Sequence, residues 1–579
     1  MLNIATGKQE EDMLKKIMAI IPPKYYGRGV TVAVTLLLRA MLNFFGITLF
    51  IPLLMLILES DSVHQNEQLQ MLYDTLGCTN DTQFTIIIAA GIVLAIAAKN
   101  IIALWLFRYE RDYTYSLYRA LSRRLYIDYY NRGLAFVNQH NSAELSRNIN
   151  FVCLNFVTGI LKPIATLCSE FILFVLIIVS LAILNIEAAS LLIVIFIPIV
   201  WLYYNSIRRR LNTYGKAENE AHRIRFKNVT ESFKGYADIE INNAFPQMLS
   251  IFDDSTDRLI AMRKKNAMLA AAPQSITETT LAAGMASLVI IGAYLPQGNI
   301  GLLFGIFAVA AVRLMPSIRS ILSAFTAIRY NRYTLDTLSD INEHNTPEQV
   351  NERLHLQEKI ELNNISFEYD SHSEGASTRV INNLSLTIRR GERLGIKGAS
   401  GAGKSTLMNL MLGLYSPTSG EIRIDGVRLD DTTRRKWQNS IGYVPQNVFI
   451  ADSTLAENIA FGVEPSKIDR KRIEEVLEMA SLTKFAKGLA QGIETQVGEL
   501  GCRVSGGERQ RIGIARALYR QPDILFFDEA TSALDKETES SVNHAIESLS
   551  TNNRELTIVV IAHRDTSLEY CDRIINIGE

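Results

Sequence analysis

The chain has 579 residues, 48% of them apolar, and a formal net charge of −1. One hydrophobic core cannot serve this length, so several domains are expected. The balanced charge gives no reason to expect a nucleic acid partner. The cysteines are scattered without metal-ligand spacing, and only Cys78 is expected to face an oxidising compartment, which excludes an intramolecular disulfide.

The two halves of the chain differ in composition. Residues 1 to about 330 carry long apolar runs, whereas residues 350–579 are typical of a soluble α/β domain. The amphipathic stretch Met13–Ile21 stops at Pro22 and is too short to cross a membrane. We expect residues 1–30 to form a helix on the inner membrane surface, with a disordered tail as the alternative.

Six apolar segments of the first half predict membrane spans, since a bilayer core needs roughly 20 helical residues. They are residues 31–58, 83–107, 158–184, 187–204, 267–295 and 300–326. The sequence therefore predicts an all-α polytopic membrane domain at 31–326. A polar linker at 327–358 and a soluble domain at 359–579 follow.

The lysines and arginines predict the orientation of these spans. The outer segment 59–82 has none, whereas residues 108–157 contain seven and residues 205–266 contain twelve. By the positive-inside rule, both termini, both long connections and the soluble domain lie in the cytoplasm. We expect the membrane to be a bacterial-type inner membrane.

The connections between spans also carry structural signals. The two long cytoplasmic connections should extend their flanking helices well beyond the membrane, and interruptions near 138–144 and 235–240 suggest short helices that could dock on a soluble domain. Outside, Leu69, Leu72, Tyr73 and Leu76 have helical spacing, which favours an amphipathic helix over a loop.

Ionisable side chains within the predicted spans are costly and need an explanation. They are Arg39, Lys99, Glu170, Glu278, Arg313 and Arg319. One interpretation is ion pairing between helices, with snorkelling near the cytoplasmic ends. The other is a cavity whose basic groups, chiefly Arg39 and Arg313, hold an anionic head such as a phosphate or pyrophosphate. Cytoplasmic extension of the helices is a third.

A phosphate-binding loop is predicted in the soluble half, between a short strand and a helix. It has the pattern G-x-x-x-x-G-K-S and consists of Gly398, Ala399, Ser400, Gly401, Ala402, Gly403, Lys404 and Ser405. The glycines let backbone N–H groups converge on phosphate oxygens at the positive end of a helix. Lys404 should reach the β- and γ-phosphates of ATP, and Ser405 should ligate Mg²⁺.

Two carboxylates end a later apolar strand. Asp528 and Glu529 follow residues 523–527, and the end of a parallel strand delivers side chains to the ligand crevice. Asp528 is placed to hold Mg²⁺, and Glu529 to orient and deprotonate the attacking water. His563 follows a second such strand and could contact the γ-phosphate or be structural.

A second anion-binding helix start lies at Ser505, Gly506 and Gly507, just before Glu508. It is far in sequence from the phosphate-binding loop. A dimer could therefore sandwich a nucleotide between the loop of one chain and this helix start of the other.

Together these motifs resemble the ABC transporter superfamily and, with six spans in front of them, an ABC exporter half-transporter. The resemblance covers nearly the whole chain and is most specific in residues 360–579. It implies a P-loop ATPase domain of ABC type that uses ATP and Mg²⁺ and works as a homodimer. It also implies that Ser505, Gly506, Gly507 and Glu508 act as the signature motif of the partner chain.

The resemblance assigns further roles residue by residue. Tyr369 matches the aromatic side chain that stacks on adenine, and Thr406 follows the phosphate-binding loop as expected. Gln446 matches the glutamine that senses Mg²⁺ and contacts the membrane domain. Asp535 lies in the dimer-contact loop, and His563 matches the switch histidine that joins Glu529 in catalysis. Residues 495–499 resemble the exporter loop that touches the cytoplasmic helices.

The sequence departs from the family pattern at three places. Val504 and Glu508 stand where the signature usually has Leu and Gln, and little loss is expected because the serine and glycines are intact. Glu508 is a candidate for tuning nucleotide affinity. The sequence stops at Glu579, where the family usually continues, so the natural chain is expected to extend further.

A narrower resemblance concerns the membrane half. The stretch 313–317 (RLMPS), Pro273 with Glu278, and the outer helix look like bacterial lipid-linked oligosaccharide flippases. The expected function is thus ATP-driven export or flipping of an amphipathic, lipid-linked substrate from the membrane lipid. Alternatives are a multidrug, lipid or peptide exporter and an ATP-gated channel or regulator. The spans exclude ABC ATPases that do not transport.

Overall fold

The computed structural model describes residues 12–48, 67–77, 80–184, 186–294, 300–342, 344, 346, 350–369, 378–498, 504–529, 540, 547, 555–562, 564 and 567–577. The chain divides into two compact units. The membrane unit comprises Met1–Arg132 and Phe136–Thr346, and the ATPase unit comprises Gly133–Ala135 and Pro347–Glu579. The first is helical and the second mixes helices with sheets, so the predicted fold class is confirmed. The predicted domain limits themselves stay predictions.

The membrane unit is built from helices only in its described part. Residues 12–20 are helical. The helices that follow are α1 Tyr26–Thr48, α2 Glu67–Thr75, α3 Asp81–Asn131, α4 Gly133–Gln139, α5 Ser142–Arg147, α6 Cys153–Phe156, α7 Lys162–Leu184, α8 Ile186–Lys234, α9 Tyr236–Ile241, α10 Phe245–Tyr294, α11 Ile300–Tyr330 and α12 Tyr333–Leu338. Two π-helical turns, Asn148–Val152 and Val157–Leu161, flank α6.

The long helices extend far past the predicted spans, as expected for the cytoplasmic connections. Helix α3 is 51 residues long and α8 is 49, whereas roughly 20 residues cross a bilayer. Within the described residues, four helices are long and apolar enough to cross a membrane: Pro23–Gly46, Thr82–Asn131, Ser142–Ile183 and Leu192–Lys234. Helices α10 and α11 contain the other two predicted spans, and the count of six therefore stays a prediction.

Apolar side chains of the spans point outward as well as inward. Leu94, Leu104 and Trp105 on α3 are each about two-thirds or more exposed on the isolated chain. A water-soluble protein seldom exposes so large an apolar surface to solvent. This surface is suited to lipid or to a partner chain.

The N-terminal helix, residues 12–20, packs one of its sides against α3. Ile17 and Ile20 are buried in a cluster with Leu117 and Leu121 of α3, while Leu14 and Met18 remain more than half exposed. The predicted helix is therefore present, but part of its apolar face is used against α3. Only the remaining part is available to a membrane surface.

The segment between the first two predicted spans contains the predicted helix, α2. Tyr73 on α2 lies against Phe84 of α3, with ring centroids 5.2 Å apart, and Phe84 is fully buried. The helical prediction for this segment is thus confirmed for residues 67–75, and the neighbouring residues 49–66 lie outside the described part.

The ATPase unit contains eleven strands in its described residues. They are β1 Lys359–Tyr369, β2 Thr378–Arg389, β3 Arg393–Gly398, β4 Ser419–Ile424, β5 Val427–Arg428, β6 Ile441–Val444, β7 Ser453–Thr454, β8 Gln496–Val497, β9 Ile524–Asp528, β10 Thr557–Ile561 and β11 Arg573–Ile577. Its helices are α13 Lys404–Met411, α14 Arg434–Gln438, α15 Leu455–Ile459, α16 Arg470–Met479, α17 Thr483–Gly488 and α18 Gly506–Tyr519.

A parallel sheet with the order β11-β3-β10-β9-β6 forms the centre of this unit. Strands β9 and β10 are buried along almost their whole length, which explains their continuous apolar runs. An antiparallel sheet, β2-β1-β4-β5, packs with α13 in one hydrophobic core. Leu134 and Ala135, which belong to the ATPase unit, pack against the same core. The carboxyl ends of β3, β9 and β6 therefore meet at one edge.

Candidate functional site

The phosphate-binding loop connects β3 to α13 as predicted. Its strand ends at Gly398 and its helix begins at Lys404. Gly403, the residue that precedes the helix, has φ 88°, a left-handed conformation that favours glycine. A Cβ atom there would also lie 2.8 Å from Cγ1 of Val380. The conformation and packing of the loop therefore require glycine at this position.

Lys404 lies inside the loop and is 5% exposed. Its Nζ donates hydrogen bonds to the carbonyl oxygens of Gly398 and Ala399, both at 3.0 Å. Ser405 is exposed in the first turn of α13. The lysine ammonium is thus held at the centre of the loop and the serine hydroxyl at its open side. Ser400, Gly401 and Ala402 complete the loop between them.

The two predicted carboxylates lie at the end of β9, next to β10 in the sheet. Asp528 pairs in register with Ile561 of β10, and the backbone N–H of Glu529 donates to the carbonyl oxygen of Ile561 at 2.9 Å. Glu529 has φ 47°, so the chain turns sharply after the strand. Backbone strain of this kind often occurs at functional sites.

Asp528 has an unusual electrostatic environment. Burial and, to a lesser degree, the Glu529 carboxylate raise the pKa of its carboxyl to about 6, although the Lys404 ammonium acts to lower it. Lys404 is thus close enough to Asp528 for their charges to interact. A cation at this point would relieve the repulsion between the two carboxylates. The oxygen atoms of Ser405, Asp528 and Gln446 are the donor type that Mg²⁺ prefers.

Gln446, in the loop after β6, contacts Glu529, the predicted catalytic carboxylate. Its Nε2 donates to Oε2 of Glu529 at 2.9 Å. Its own carbonyl oxygen accepts a hydrogen bond from Nε2 of Gln510, on α18, at 2.6 Å. Gln510 is buried and was not selected from the sequence, although it lies only two residues after Glu508. No local pattern signals a buried amide whose partner is 64 residues away.

The signature helix α18 begins with a capping box. The Ser505 Oγ accepts from the backbone N–H of Glu508 at 3.3 Å, and the Glu508 carboxylate accepts from the N–H of Ser505 at 2.8 Å. A glutamine can close the same box. Val504 is buried in the core of the unit. Both departures from the family pattern therefore keep the helix start intact, and Ser505 and Gly506 face outward.

Tyr369 ends β1 beside the phosphate-binding helix. Its hydroxyl shares a hydrogen bond of 2.9 Å with Oγ1 of Thr406. Its ring meets the rings of Phe367 and Tyr415 edge-on. The side chain is partly exposed, so a ring face can receive a base, but stacking on adenine stays a prediction.

Arg39 forms an ion pair between helices. Its guanidinium lies 2.6 Å from the carboxylate of Glu110, on α3, and both side chains are less than one-fifth exposed. The pair borders a cavity of about 220 Å³. The ion-pair interpretation of Arg39 therefore holds, and the residue still lines a cavity. His563, Asp535 and the side chain of Arg313 lie outside the described residues, so their predicted roles stay predictions.

The chain is similar to several known proteins. Residues 381–532 match the family described as ABC transporter. The ATP-dependent lipid A-core flippase of Burkholderia pseudomallei is 30% identical over 390 residues, which are 67% of this chain and 64% of that protein. The chain thus spans less than two thirds of the length of that relative. ABC transporter B family member 21 of Arabidopsis thaliana is 40% identical over 215 residues, 37% of this chain and 16% of that protein.

The fold has a counterpart among solved structures. A bacterial Atm1-family ABC exporter with ATP bound superposes with a TM-score of 0.75 and 23% sequence identity. The match covers 96% of this chain and 94% of the other. At this identity the likeness concerns the fold of the chain, from the long membrane helices to the nucleotide-binding sheets.

Proposed function

We propose that this chain, whose residues 381–532 belong to the ABC transporter family and whose fold is that of an ABC exporter, couples ATP hydrolysis to the export or flipping of an amphipathic substrate. One observation carries the proposal above all. The phosphate-binding loop, the Asp528–Glu529 pair and Gln446 converge at one edge of a parallel sheet, in a chain that also has long apolar helices.

The ATP site can be assigned from this edge. Lys404 and the loop N–H groups bind the β- and γ-phosphates, and Tyr369 stacks on the adenine. Ser405, Asp528 and Gln446 hold Mg²⁺, which neutralises phosphate charge. Glu529 takes the proton of the attacking water, and the Gln446 amide orients its carboxylate. His563 contacts the γ-phosphate.

Each site is completed by a second copy of the chain in this proposal. The outward-facing Ser505, with Gly506, Gly507 and Glu508, lies at the start of α18, where a helix favours anions. A homodimer places this helix start against the phosphate-binding loop of the partner and uses Asp535 as a contact. Two equivalent sites follow, and no nucleic acid takes part.

The membrane half defines the kind of substrate. Several relatives are named lipid A-core flippases. This name favours a lipid-linked substrate for the present chain as well. Basic residues within the spans suit an anionic head of the oligosaccharide-pyrophosphate kind. The distribution of lysine and arginine supports insertion in the inner membrane with the ATPase unit in the cytoplasm.

Transport in proteoliposomes tests the proposed function. The full-length chain should move a fluorescent diphosphate-linked glycolipid between leaflets only with ATP and Mg²⁺, and against its gradient. Glu529→Gln should stop transport while ATP still binds. Downhill flux that continues in Glu529→Gln, or ion current through bilayers, would instead support the gated channel.

A stimulated-ATPase screen tests the substrate class separately. Diphosphate-linked glycolipids should accelerate hydrolysis more than neutral amphiphiles of the same chain length. If only the neutral compounds stimulate hydrolysis, and Arg39→Ala and Arg313→Ala leave the stimulation unchanged, a multidrug or neutral-lipid exporter is the better assignment.

A further inference from the structure

The third membrane-spanning segment does not begin as a regular α-helix. Immediately before α7, residues Val157–Leu161 form a π-helical turn, in which the N–H of Lys162 donates to the carbonyl oxygen of Val157. Such turns insert an extra residue, are rare, and frequently occur at functional sites. The turn changes the direction in which Thr158 and Lys162 project.

Close packing explains part of this irregular turn. A Cβ atom on Gly159 would lie 2.4 Å from the side-chain amide of Asn331, which follows α11. Glycine therefore lets the π turn approach the end of α11. This approach brings Lys162 and Arg319 of α11 to the lining of one cavity of about 330 Å³.

The lining of this cavity combines apolar side chains with two basic ones and several hydroxyl groups. Thr158, Ser320 and Ser323 supply hydroxyl groups beside Lys162 and Arg319. Lys162 and Thr166 also border the cavity of about 220 Å³ that contains Arg39, Glu110 and Arg111. The two cavities therefore share one wall.

The charges around the two cavities do not balance. Glu110 is the acidic side chain of the described lining, and its charge is met by Arg39 at 2.6 Å. Lys162 and Arg319 form no ion pair with any residue in the described ranges. Arg111 adds a third cation. Lys162 and Arg319 are both exposed on the isolated chain. Uncompensated cations at the expected edge of a membrane favour an anionic ligand.

The depth of these cations matches a lipid headgroup. Lys162 lies four residues inside the predicted third span and Arg319 seven residues inside the sixth, which is about 6 Å and about 10 Å along a helix. Arg111 lies four residues outside the second span, about 6 Å in the other direction. The cluster thus straddles the expected cytoplasmic boundary of the bilayer.

We infer that Lys162, Arg319 and Arg111 form a docking site for the phosphate or diphosphate group of an amphiphile. The hydroxyl of Ser320 donates to a remaining phosphate oxygen, whereas the Thr158 hydroxyl donates to the carbonyl oxygen of Leu154 at 2.8 Å. The inference rests on the proposed function and adds the residues that first receive the anionic head. Arg39 is a positioning residue there, because it neutralises Glu110 and so keeps the site cationic.

Native mass spectrometry of the detergent-solubilised full-length chain tests this site, with farnesyl diphosphate as the probe. Lys162→Gln and Arg319→Gln should each weaken binding about tenfold, the effect of one charge-assisted contact. Lys162→Arg should restore binding, which separates loss of charge from misfolding. Lys264→Gln, an exposed lysine near the start of the fifth predicted span, is the matched control and should bind like the wild type.

Competition identifies the source of the anion. Farnesol should not compete, because it lacks the phosphate. If inorganic pyrophosphate displaces farnesyl diphosphate, the site recognises the free anion. If it does not, the site requires a phosphate headgroup attached to a lipid chain. Equal binding in the wild type, Lys162→Gln and Arg319→Gln, or competition by farnesol, overturns the site.

The same variants separate this inference from the proposed function. If wild-type protein transports with ATP but Lys162→Gln and Arg319→Gln bind the probe normally, only the docking site is wrong. If the variants lose binding as expected but the wild type shows no ATP-driven transport, the proposed function is wrong and the anion site stands.

Discussion

The ATPase unit and the membrane unit hold their charged side chains in different ways. In the ATPase unit, Lys404 is bound by carbonyl oxygens five and six residues before it, so a short segment makes its own site. In the membrane unit, Arg39 is bound by Glu110, 71 residues away on another helix. The first arrangement can be read from a local motif, and the second depends on how two helices pack.

This difference between local and long-range contacts explains why the ATP site can be assigned in more detail than the role of basic residues in the membrane unit. A phosphate-binding loop needs a left-handed glycine, a helix start and a lysine in fixed order, and each is visible in sequence. The sequence alone does not distinguish a basic residue within a span that pairs with an acidic side chain from one that binds a ligand. Variants that separate these two cases are therefore the most informative.

The largest expected effect concerns Glu529. Glu529→Gln should reduce ATP hydrolysis about 1,000-fold, because the amide cannot accept the proton of water. Nucleotide binding should change little. Phosphate release measures the hydrolysis rate, and a filter-binding assay measures nucleotide binding. Glu555→Gln, which alters an exposed carboxylate paired with Arg390, is the control and should hydrolyse normally. Wild-type hydrolysis by Glu529→Gln would remove Glu529 from the mechanism.

The next largest effect tests the long-range arrangement through the Arg39–Glu110 pair. Arg39→Ala and Glu110→Ala should each destabilise the membrane unit by about 3 kcal/mol, because each leaves a largely buried charge without its partner. The double variant should lose much less than the sum. Thermal unfolding in detergent measures the cycle.

Additive losses in that cycle would contradict the pairing. A loss of substrate-stimulated hydrolysis in Arg39→Ala, with none in Glu110→Ala, would show that Arg39 contacts the ligand directly.

A smaller effect is expected from Gln510, a long-range contact within the ATPase unit. Gln510→Ala removes the hydrogen bond to the carbonyl oxygen of Gln446, and hydrolysis should fall about fivefold, corresponding to roughly 1 kcal/mol. Gln438→Ala is matched to it, since Gln438 also donates to a backbone carbonyl, that of Leu412. Equal rates in the two variants would mean that Gln446 is positioned without Gln510.

The smallest effect concerns Glu508 in the signature motif. Glu508→Gln keeps a side chain that can close the capping box, so the free energy of unfolding should change by only about 0.3 kcal/mol. Glu508→Ala opens the box and should cost about 1 kcal/mol. Chemical denaturation compares the two. An equal loss in both would show that the charge, rather than the cap, stabilises the helix start.

The same variants address the affinity hypothesis for Glu508. If its negative charge near the partner's phosphates tunes nucleotide affinity, Glu508→Gln should lower the ATP concentration needed for half-maximal hydrolysis. An unchanged value would remove that hypothesis while leaving the cap in place.

Much of the molecule follows from its sequence because the signals are local. The long apolar runs produce helices, and short buried apolar runs produce the central strands β9 and β10. The glycine-rich loop, the strand-terminal carboxylates and the serine cap of α18 lie where the motifs predict them. In each case the conformation of fewer than about ten neighbouring residues decides the outcome.

Only the tertiary structure decided which distant groups meet. The Arg39–Glu110 pair, the bond from Gln446 to Glu529, and the buried amide of Gln510 all join residues more than 60 positions apart. The π turn before Lys162 and its close approach to Asn331 have no local signature either. Such contacts depend on helix packing and strand order, and these are set by the core as a whole, so no single stretch of sequence contains them.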